Sequence, residues 1–514
     1  MLFLQNAGGL WRDEANSVRL SSMPLRELWA NLQFDSFPVV WFAVLRGWSA
    51  CGLGSTDPGL RALGLVVGLA VLAALWRNTR AFGTGPPLVS LALLGFNAAV
   101  VGYGDSMRAY GVGMLTGILT FGLVWDLVDR PDTPRLLLAS AAALVSVHCV
   151  FYNALVLLAA CAGGATVAVR RRQWRTIWLL VGLGGLSALS LLLYRGMFEG
   201  QRAFSVIIRR EIDLAWTWRK FVEATTETTA IAPWLWIVAA GLGLLTATGA
   251  LRAGEGADRQ HDVDLYCGAA LLTGVPAYVV FLLHLSYPMQ PWYFLVLMAL
   301  SAACLDGILG RPLQSAPARL TRLGVVCLIV AISCPGVWRA AHQRKTNLDL
   351  VAAALQKSVR PGDLVVVNPW YYGVAFDRYY RGPAEWSTLP PLSSHRVHRY
   401  DLLKKAMMSP EDVRPLLDRI RDALLAGHAI WWVGDLTAPP QGQSAPDVPP
   451  APNSPWRWDE GPYYRGWSMQ AGDVLRRYGR WAVAVPVPSD RPVSRYEHPR
   501  VTYISTTASG RPDR

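Results

Sequence analysis

Asp13 and Glu14 follow Trp11 and Arg12 near the start of the chain, an acidic pair with an aromatic ring and a guanidinium beside it. A carboxylate in that setting can take a proton from a hydroxyl as the hydroxyl attacks an electrophile. A second acid, Asp105, sits in Tyr103-Gly104-Asp105-Ser106-Met107-Arg108-Ala109-Tyr110, a polar island between two apolar runs. Ionisable residues at the edge of a membrane segment are costly and often functional. The guanidinium of Arg108 can meet a phosphate with two parallel hydrogen bonds, and Arg209 and Arg210 offer the same group. His148 and the run Tyr287-Pro288-Met289-Gln290-Pro291-Trp292-Tyr293 add further polar and aromatic candidates. Each has a bland reading beside the chemical one. Adjacent carboxylates are commonly solvated charge, Asp105 and Arg108 can pair merely to end two helices, and aromatic residues such as Trp292 can form an interfacial belt.

The elements that must position these residues are helices in lipid. Of 514 residues, 52% are hydrophobic and only 17% charged, the balance of a membrane protein. The formal charge of +13 is spread in short clusters between apolar runs, which suits anionic lipid headgroups and not nucleic acid. A helix needs about 20 mostly apolar residues to cross a bilayer core. Runs at 60–76, 87–101, 111–125, 136–147, 151–169, 176–194, 232–251, 265–285, 291–309 and 320–337 meet or approach that length. Seven cysteines, Cys51, Cys149, Cys161, Cys267, Cys304, Cys327 and Cys334, lie in or beside these runs without metal or redox spacing.

Arginines fall after every second run, at Arg77 and Arg80, Arg130 and Arg135, Arg170 to Arg172 with Arg175, Arg252 and Arg259, and Arg311, Arg319 and Arg322. The positive-inside rule makes those loops cytoplasmic and places Asp105, His148 and Tyr287 outside. The loop over 195–230 mixes Arg202, Arg209, Arg210, Arg219 and Lys220 with Phe204, Ile207, Ile208, Trp216 and Trp218, and predicts an amphipathic helix in the interface. Its cations either touch lipid headgroups or hold the phosphate of a lipid-linked substrate. Residues 37–52 are apolar but short, and can either cross or lie along the surface, a choice that charge does not decide. Residues 1–10 are too short to span, so either the N-terminus is translocated without a spanning helix or, as expected here, an upstream start encodes one more span.

After residue 337 the pattern changes to alternating helix and strand. Asn347 is placed to cap a helix over 348–359, and 363–367 reads as a buried strand. Ser409 before Pro410, Glu411 and Asp412 marks another helix start, ending at Gly427. Residues 428–433 and 481–487 complete about three parallel strands, with a helix at 469–478 and a proline-rich excursion near 438–456. The division expected is 1–59 as a first external loop with a juxtamembrane helix, 60–338 as the polytopic membrane domain, and 339–514 as an extracytoplasmic α/β domain. No glycine-rich phosphate loop follows the strands, which favours an accessory or acceptor-facing role for that domain.

Taken in order, these features resemble the membrane glycosyltransferases of the GT-C class, in particular the protein-mannosyltransferase and aminoarabinose-transferase-like group called family 39. Trp11-Arg12-Asp13-Glu14 is similar to the acidic pair of that group's first external loop. Asp35-Ser36-Phe37-Pro38 resembles the proline-containing start of its juxtamembrane helix, with Val39 where a second proline is usual. Arg61 opens the next span, residues 103–110 resemble its acid, arginine and tyrosine island, and Tyr293 falls where an Arg-Tyr pair usually stands, with Trp292 in place of the arginine. The resemblance implies a multi-pass helical GT-C-like fold in which 37–52 does not cross, so that both acids share the non-cytoplasmic face of the plasma (inner) membrane.

It also implies an inverting transfer of a sugar from a polyprenyl-phosphate donor to a lipid, glycan or protein acceptor. Asp13 is then the base, and Arg108, with Arg209 or Arg210, stabilises the departing phosphate. Glu14 and Asp105 orient the acceptor or bind a divalent metal ion, if one is used. Tyr103, Tyr110, His148 and Tyr293 line the rim. Two other classes fit many helices with few charges: a transporter or flippase of a lipid-linked or amphipathic solute, and a noncatalytic scaffold. Charge is nearly absent from the helix centres and no inverted repeat of interrupted helices is visible, both of which weigh against the transporter.

Overall fold

The structure, a computed structural model, describes residues 1–226, 232–252, 258–309, 316–454 and 458–507. Arg311 of the charge alternation, Ala230 at the end of the expected amphipathic segment and Pro455 at the end of the proline-rich run lie outside them. Two compact units result. The first comprises 1–4, 37–196 and 211–341, and the second 5–36, 197–210 and 342–514. Neither follows the linear three-part division drawn from the sequence, because the acidic segment and the stretch around Arg209 and Arg210 pack with the C-terminal α/β fold.

The first unit is a helical bundle. Among the described residues seven helices are long and apolar enough to cross a bilayer: Asp57–Phe82, Tyr110–Asp129, Asn153–Arg170, Trp174–Ser205, Arg259–Leu285, Pro291–Leu309 and Arg319–Ala341. Ala232–Arg252 is a further unbroken helix of 21 residues. Two expected spans come out differently. Thr133–Val147 has 15 residues, which at 1.5 Å each reach about 22 Å, short of the roughly 30 Å hydrocarbon core. Residues 87–101 do not form one helix: Leu88–Gly95 stops and a wide turn, Val100–Gly104, follows. Asn97 stabilises this break, since its side-chain oxygen accepts the Val100 N–H at 2.9 Å and its amide donates to the Ala224 carbonyl at 3.2 Å. Such a break inside the bundle is tolerated when the freed backbone groups find partners.

At one end of the bundle the arginines of separate loops meet acids. Arg171 lies 2.8 Å from Asp262 and 3.5 Å from Asp129, Arg259 is 3.0 Å from Asp129, and Arg77 pairs with Asp126. Arg322 donates to the Pro86 carbonyl at 2.8 Å. The loops picked out by charge alternation therefore gather on one side of this unit.

The second unit carries a five-stranded sheet in the order β2-β1-β3-β5-β4, with β1 Leu364–Val367, β2 Glu385–Thr388, β3 Ile430–Val433, β4 Trp481–Val485 and β5 Val501–Ser505. β1 is parallel to β2 and β3, and β5 is antiparallel to β3 and β4. The expectation of three parallel strands holds for the centre but with different members. β2 and β5 were not foreseen, and Trp481–Val485 is an antiparallel edge strand. β1 and β3 are wholly buried, as suits near-continuous apolar runs covered on both faces. Helix Arg414–Leu425 puts Leu416, Ile420 and Leu424 on one stripe against Trp432 and Trp467, and Gly427 ends that segment at φ +81°. Helix 348–358 starts where expected, but Asn347 does not cap it. The Asn347 amide instead donates to the Pro499 carbonyl at 3.1 Å, while Thr346 Oγ1 accepts the Leu348 N–H at 3.0 Å.

Candidate functional site

In the second unit Asp13 stands in the first turn of helix Arg12–Ser22, where an acid suits the positive end of the helix. The three residues around it are held differently. Glu14 is fully buried and accepts the Trp11 N–H at 3.2 Å, a contact that closes the helix start. Arg12 reaches back to the end of the chain. Its backbone N–H lies 3.2 and 3.1 Å from the two carboxylate oxygens of Glu497, its guanidinium 3.6 Å from the same group, and it donates to the Tyr496 carbonyl at 3.2 Å. Asp13 keeps about a quarter of its side chain exposed and places Oδ1 3.3 Å from His398 Nε2 and 3.7 Å from Arg12 Nε.

One helical turn on, Asn16 fixes the frame. Its amide donates to the Phe34 carbonyl at 3.1 Å and to Asp35 Oδ2 at 2.9 Å, and its oxygen accepts the His398 N–H at 3.0 Å. Ser17 also donates to Asp35 Oδ2 at 3.0 Å. Asp35, noted in the sequence only as part of a proline-containing run, is thus the buried anchor of the acidic helix.

Arg12 also stacks on Tyr371, its guanidinium carbon 4.3 Å from the ring centroid. Tyr371 belongs to the turn Trp370–Tyr372, which leaves the C-terminal end of β1 after Asn368 and Pro369. The chain departs from β1 toward β2 and returns on the other side as β3, which makes this end a topological switch point, the usual place for ligands in such sheets. Gly434, at φ +112°, lets β3 turn away where a side chain would collide with the Asn368 carbonyl. Behind Tyr371, Trp370 donates to Tyr464 Oη at 2.5 Å and Tyr464 to Glu460 at 2.9 Å.

Burial shapes the charges here. It pushes the Glu497 carboxyl up to about 7, although Arg12, the Arg12 N–H and Thr346 all oppose it. Glu460 is also raised by burial against the pull of Tyr464 and Arg210. For Arg12 burial works against its charge, but Asp13, Tyr371 and Glu497 outweigh it and the guanidinium is held above its ordinary value. Arg210 lies 3.5 Å from Asp459 with both side chains largely exposed, and Arg209 is half-buried in the same unit.

The first unit brings together a different set. The Arg108 guanidinium sits 4.5 Å above the Phe37 ring, which meets Tyr110 edge-on at 5.2 Å. Tyr152 lies within electrostatic reach of Arg108, Tyr110, Tyr278 and Tyr293 and stacks on Tyr293 at 6.3 Å. Tyr103 packs on Trp292 at 4.5 Å, so Trp292 is a buried packing partner. Asp105 is placed by glycines. A Cβ at Gly64 would overlap the Asp105 carbonyl, one at Gly68 would approach Asp105 Oδ1 to 3.2 Å, and one at Gly111 would overlap the Gly104 carbonyl. His148 ties three elements: Nδ1 is 2.8 Å from Tyr194 Oη, Nε2 is 2.9 Å from Ser190 Oγ, and its carbonyl accepts the Val40 N–H at 3.0 Å. With Tyr194 Oη taking the Val39 N–H at 3.2 Å, these contacts cap the apolar helix Val39–Trp48, which Pro38 cannot cap by side chain. With the turn that follows it, that helix runs Val39–Leu53, too short to count among the seven.

No protein-family model matches the chain, and no curated relative matches it. Solved structures do match, among them two of ArnT. ArnT from Cupriavidus metallidurans in the apo state is 13% identical with a TM-score of 0.55, and the match covers 100% of this chain and 97% of that one. ArnT from the same organism bound to undecaprenyl phosphate is likewise 13% identical, with a TM-score of 0.53 and the same coverage. The chain has the GT-C fold.

Within this GT-C fold the sequence-derived candidates separate by unit. Asp13, Glu14, Arg209 and Arg210 belong to the second unit, and Tyr103, Asp105, Arg108, Tyr110, His148 and Tyr293 to the first. Among the described residues no group of three or more His, Cys, Asp or Glu side chains is arranged to hold a metal ion. The amphipathic segment expected over 195–230 is two helices, Arg195–Ser205 and Leu214–Thr226, and not one. His398, Glu497, Tyr371 and Asn16 were missed, since nothing local to residues 371–398 or 497 signals a partner near residue 12.

Proposed function

We propose that this chain is an inverting glycosyltransferase that moves a sugar from a polyprenyl-phosphate donor to an acceptor hydroxyl on the non-cytoplasmic face of the membrane. The observation that carries the reading is the state of Asp13: a partly exposed carboxylate, ordered by His398 and Arg12, whose neighbour Arg12 stacks on the turn that leaves the C-terminal end of β1, where β1 lies between its parallel partners β2 and β3. The full-length likeness to a fold of which one member was solved with undecaprenyl phosphate supports a lipid-phosphate donor. Asp13 takes the proton of the attacking hydroxyl. Arg108, with Arg209 or Arg210, meets the negative charge left on the departing polyprenyl phosphate, and Glu14 and Asp105 have supporting, orienting roles.

The test uses purified full-length protein in lipid nanodiscs, a polyprenyl phosphate carrying a labelled sugar, and a cell-envelope extract as acceptor. The expected result is label in a new glycosidic linkage with inverted anomeric configuration. Label that changes leaflet in proteoliposomes with no new bond formed would replace this reading with that of a flippase.

A further inference from the structure

His398 sits 385 positions beyond Asp13 in the chain, yet its ring is buried beside it, 6% of the side chain exposed, with Nε2 3.3 Å from Asp13 Oδ1. Among the described residues neither ring nitrogen has a hydrogen-bond partner. Buried polar groups are ordinarily paired, and an exception calls for a reason. At 3.3 Å the contact is a close approach that a small ring rotation turns into a hydrogen bond, and such bonds at reacting centres are often loose until substrate arrives. The ring is boxed edge-on by Trp370, 6.1 Å away at 88°, and flanked by Tyr400 at 6.0 Å. The residue's contribution to folding is carried elsewhere. Its backbone N–H is bonded to Asn16 and its carbonyl accepts the Tyr400 N–H at 3.0 Å.

We infer that His398 is the positioning residue of Asp13. Its Nε2–H donates to Asp13 Oδ1, the oxygen that Arg12 Nε also approaches, and so fixes the rotation of the carboxylate that receives the acceptor's proton. This is the arrangement of a base oriented by a third group. The inference rests on the proposed transfer reaction for its kinetic consequence, but the pairing itself is testable without turnover.

The experiment compares His398→Ala and His398→Gln with the unmodified full-length protein in nanodiscs. A glutamine amide can put a donor near the place of Nε2, while alanine cannot. With the labelled polyprenyl-phosphate sugar as donor, His398→Ala is expected to lower kcat about 10–100-fold, the scale of a misplaced reacting group, with donor KM unchanged. His398→Gln should regain most of that loss. In parallel, the reactivity of Asp13 toward a water-soluble carbodiimide, read by peptide mass spectrometry, should differ several-fold from the unmodified protein in the alanine variant and return toward it in the glutamine variant. If the unmodified protein transfers no label, the transferase reading fails, and the labelling arm alone decides the pairing. Equal Asp13 labelling in all three proteins would overturn the inference, as would an alanine variant with unchanged kcat or one whose loss glutamine does not relieve.

Discussion

Asp13 and Asp105 are both acids that the sequence singles out, but their surroundings differ in kind. Asp13 is fixed by side chains drawn from far along the chain: His398 and Arg12 on its carboxylate, and Asn16 tying the same helix to Asp35 and to the His398 backbone. Around Asp105 the backbone packs against glycines: its carbonyl lies against Gly64, its Oδ1 near Gly68, and Gly111 presses the preceding carbonyl. A charged network can be retuned by one substitution while the backbone stays put. A glycine-lined contact admits no such adjustment. The difference leaves Asp13 in a setting that a single side chain can tune and gives the segment around Asp105 a close-packed backbone frame.

The sharpest way to break the comparison is to add bulk at the glycine contact. Gly64→Leu drives a side chain into the Asp105 backbone, and overpacking of this kind costs about 1–3 kcal/mol or more. A large drop in thermal midpoint and in folded yield is expected. A variant that melts normally would mean the contact is loose. Asn16→Ala, on the other side of the comparison, removes the partner of the His398 N–H and one of the donors to Asp35. We expect about 1–3 kcal/mol of lost stability together with reduced transfer, measured by melting and by the labelled-donor assay. Normal values in both would remove Asn16 from the account.

Glu497 offers a pH-dependent probe of the same network. Burial raises its pKa from 4.5 to about 7, so the folded state favours the protonated form. Its contribution to stability is full below about 4.5 and is lost as pH rises through about 7. Glu497→Gln, which mimics the protonated acid, should abolish a loss on the order of 1–3 kcal/mol across that window, read from melting curves at stepped pH. Parallel curves for the two proteins would contradict this. The smallest effect is expected at Arg210→Ala. Its exposed pair with Asp459 contributes within about 1 kcal/mol, so an unchanged melt with weakened donor binding would isolate a direct phosphate contact.

Much of the helical architecture could be read from apolar length and from arginine placement, because a bilayer imposes both on a sequence. The broken helix after Gly95 escaped, since Leu88 to Val101 is apolar apart from Ser90 and Asn97 and the break is made by Asn97 bonding to Val100 and Ala224. In the α/β fold, β1 and β3 announced themselves as short apolar runs. β2, with the sequence Glu385-Trp386-Ser387-Thr388, did not, because half of it faces solvent at a sheet edge. Asp13 stood out through its neighbours in sequence. His398 and Glu497 carried no local signal, and their relevance exists only once the sheet brings residues nearly four and five hundred positions away to the helix at Arg12.

The most direct test of the central claim is transfer by Asp13→Asn. The substitution keeps size and most hydrogen bonding but removes the basic carboxylate. With the protein in nanodiscs and a labelled polyprenyl-phosphate sugar, turnover should fall about 10²–10⁴-fold while donor binding and melting stay near those of the unmodified protein. Near-normal transfer by Asp13→Asn, in a preparation where the unmodified protein is active, would show that Asp13 is not the base.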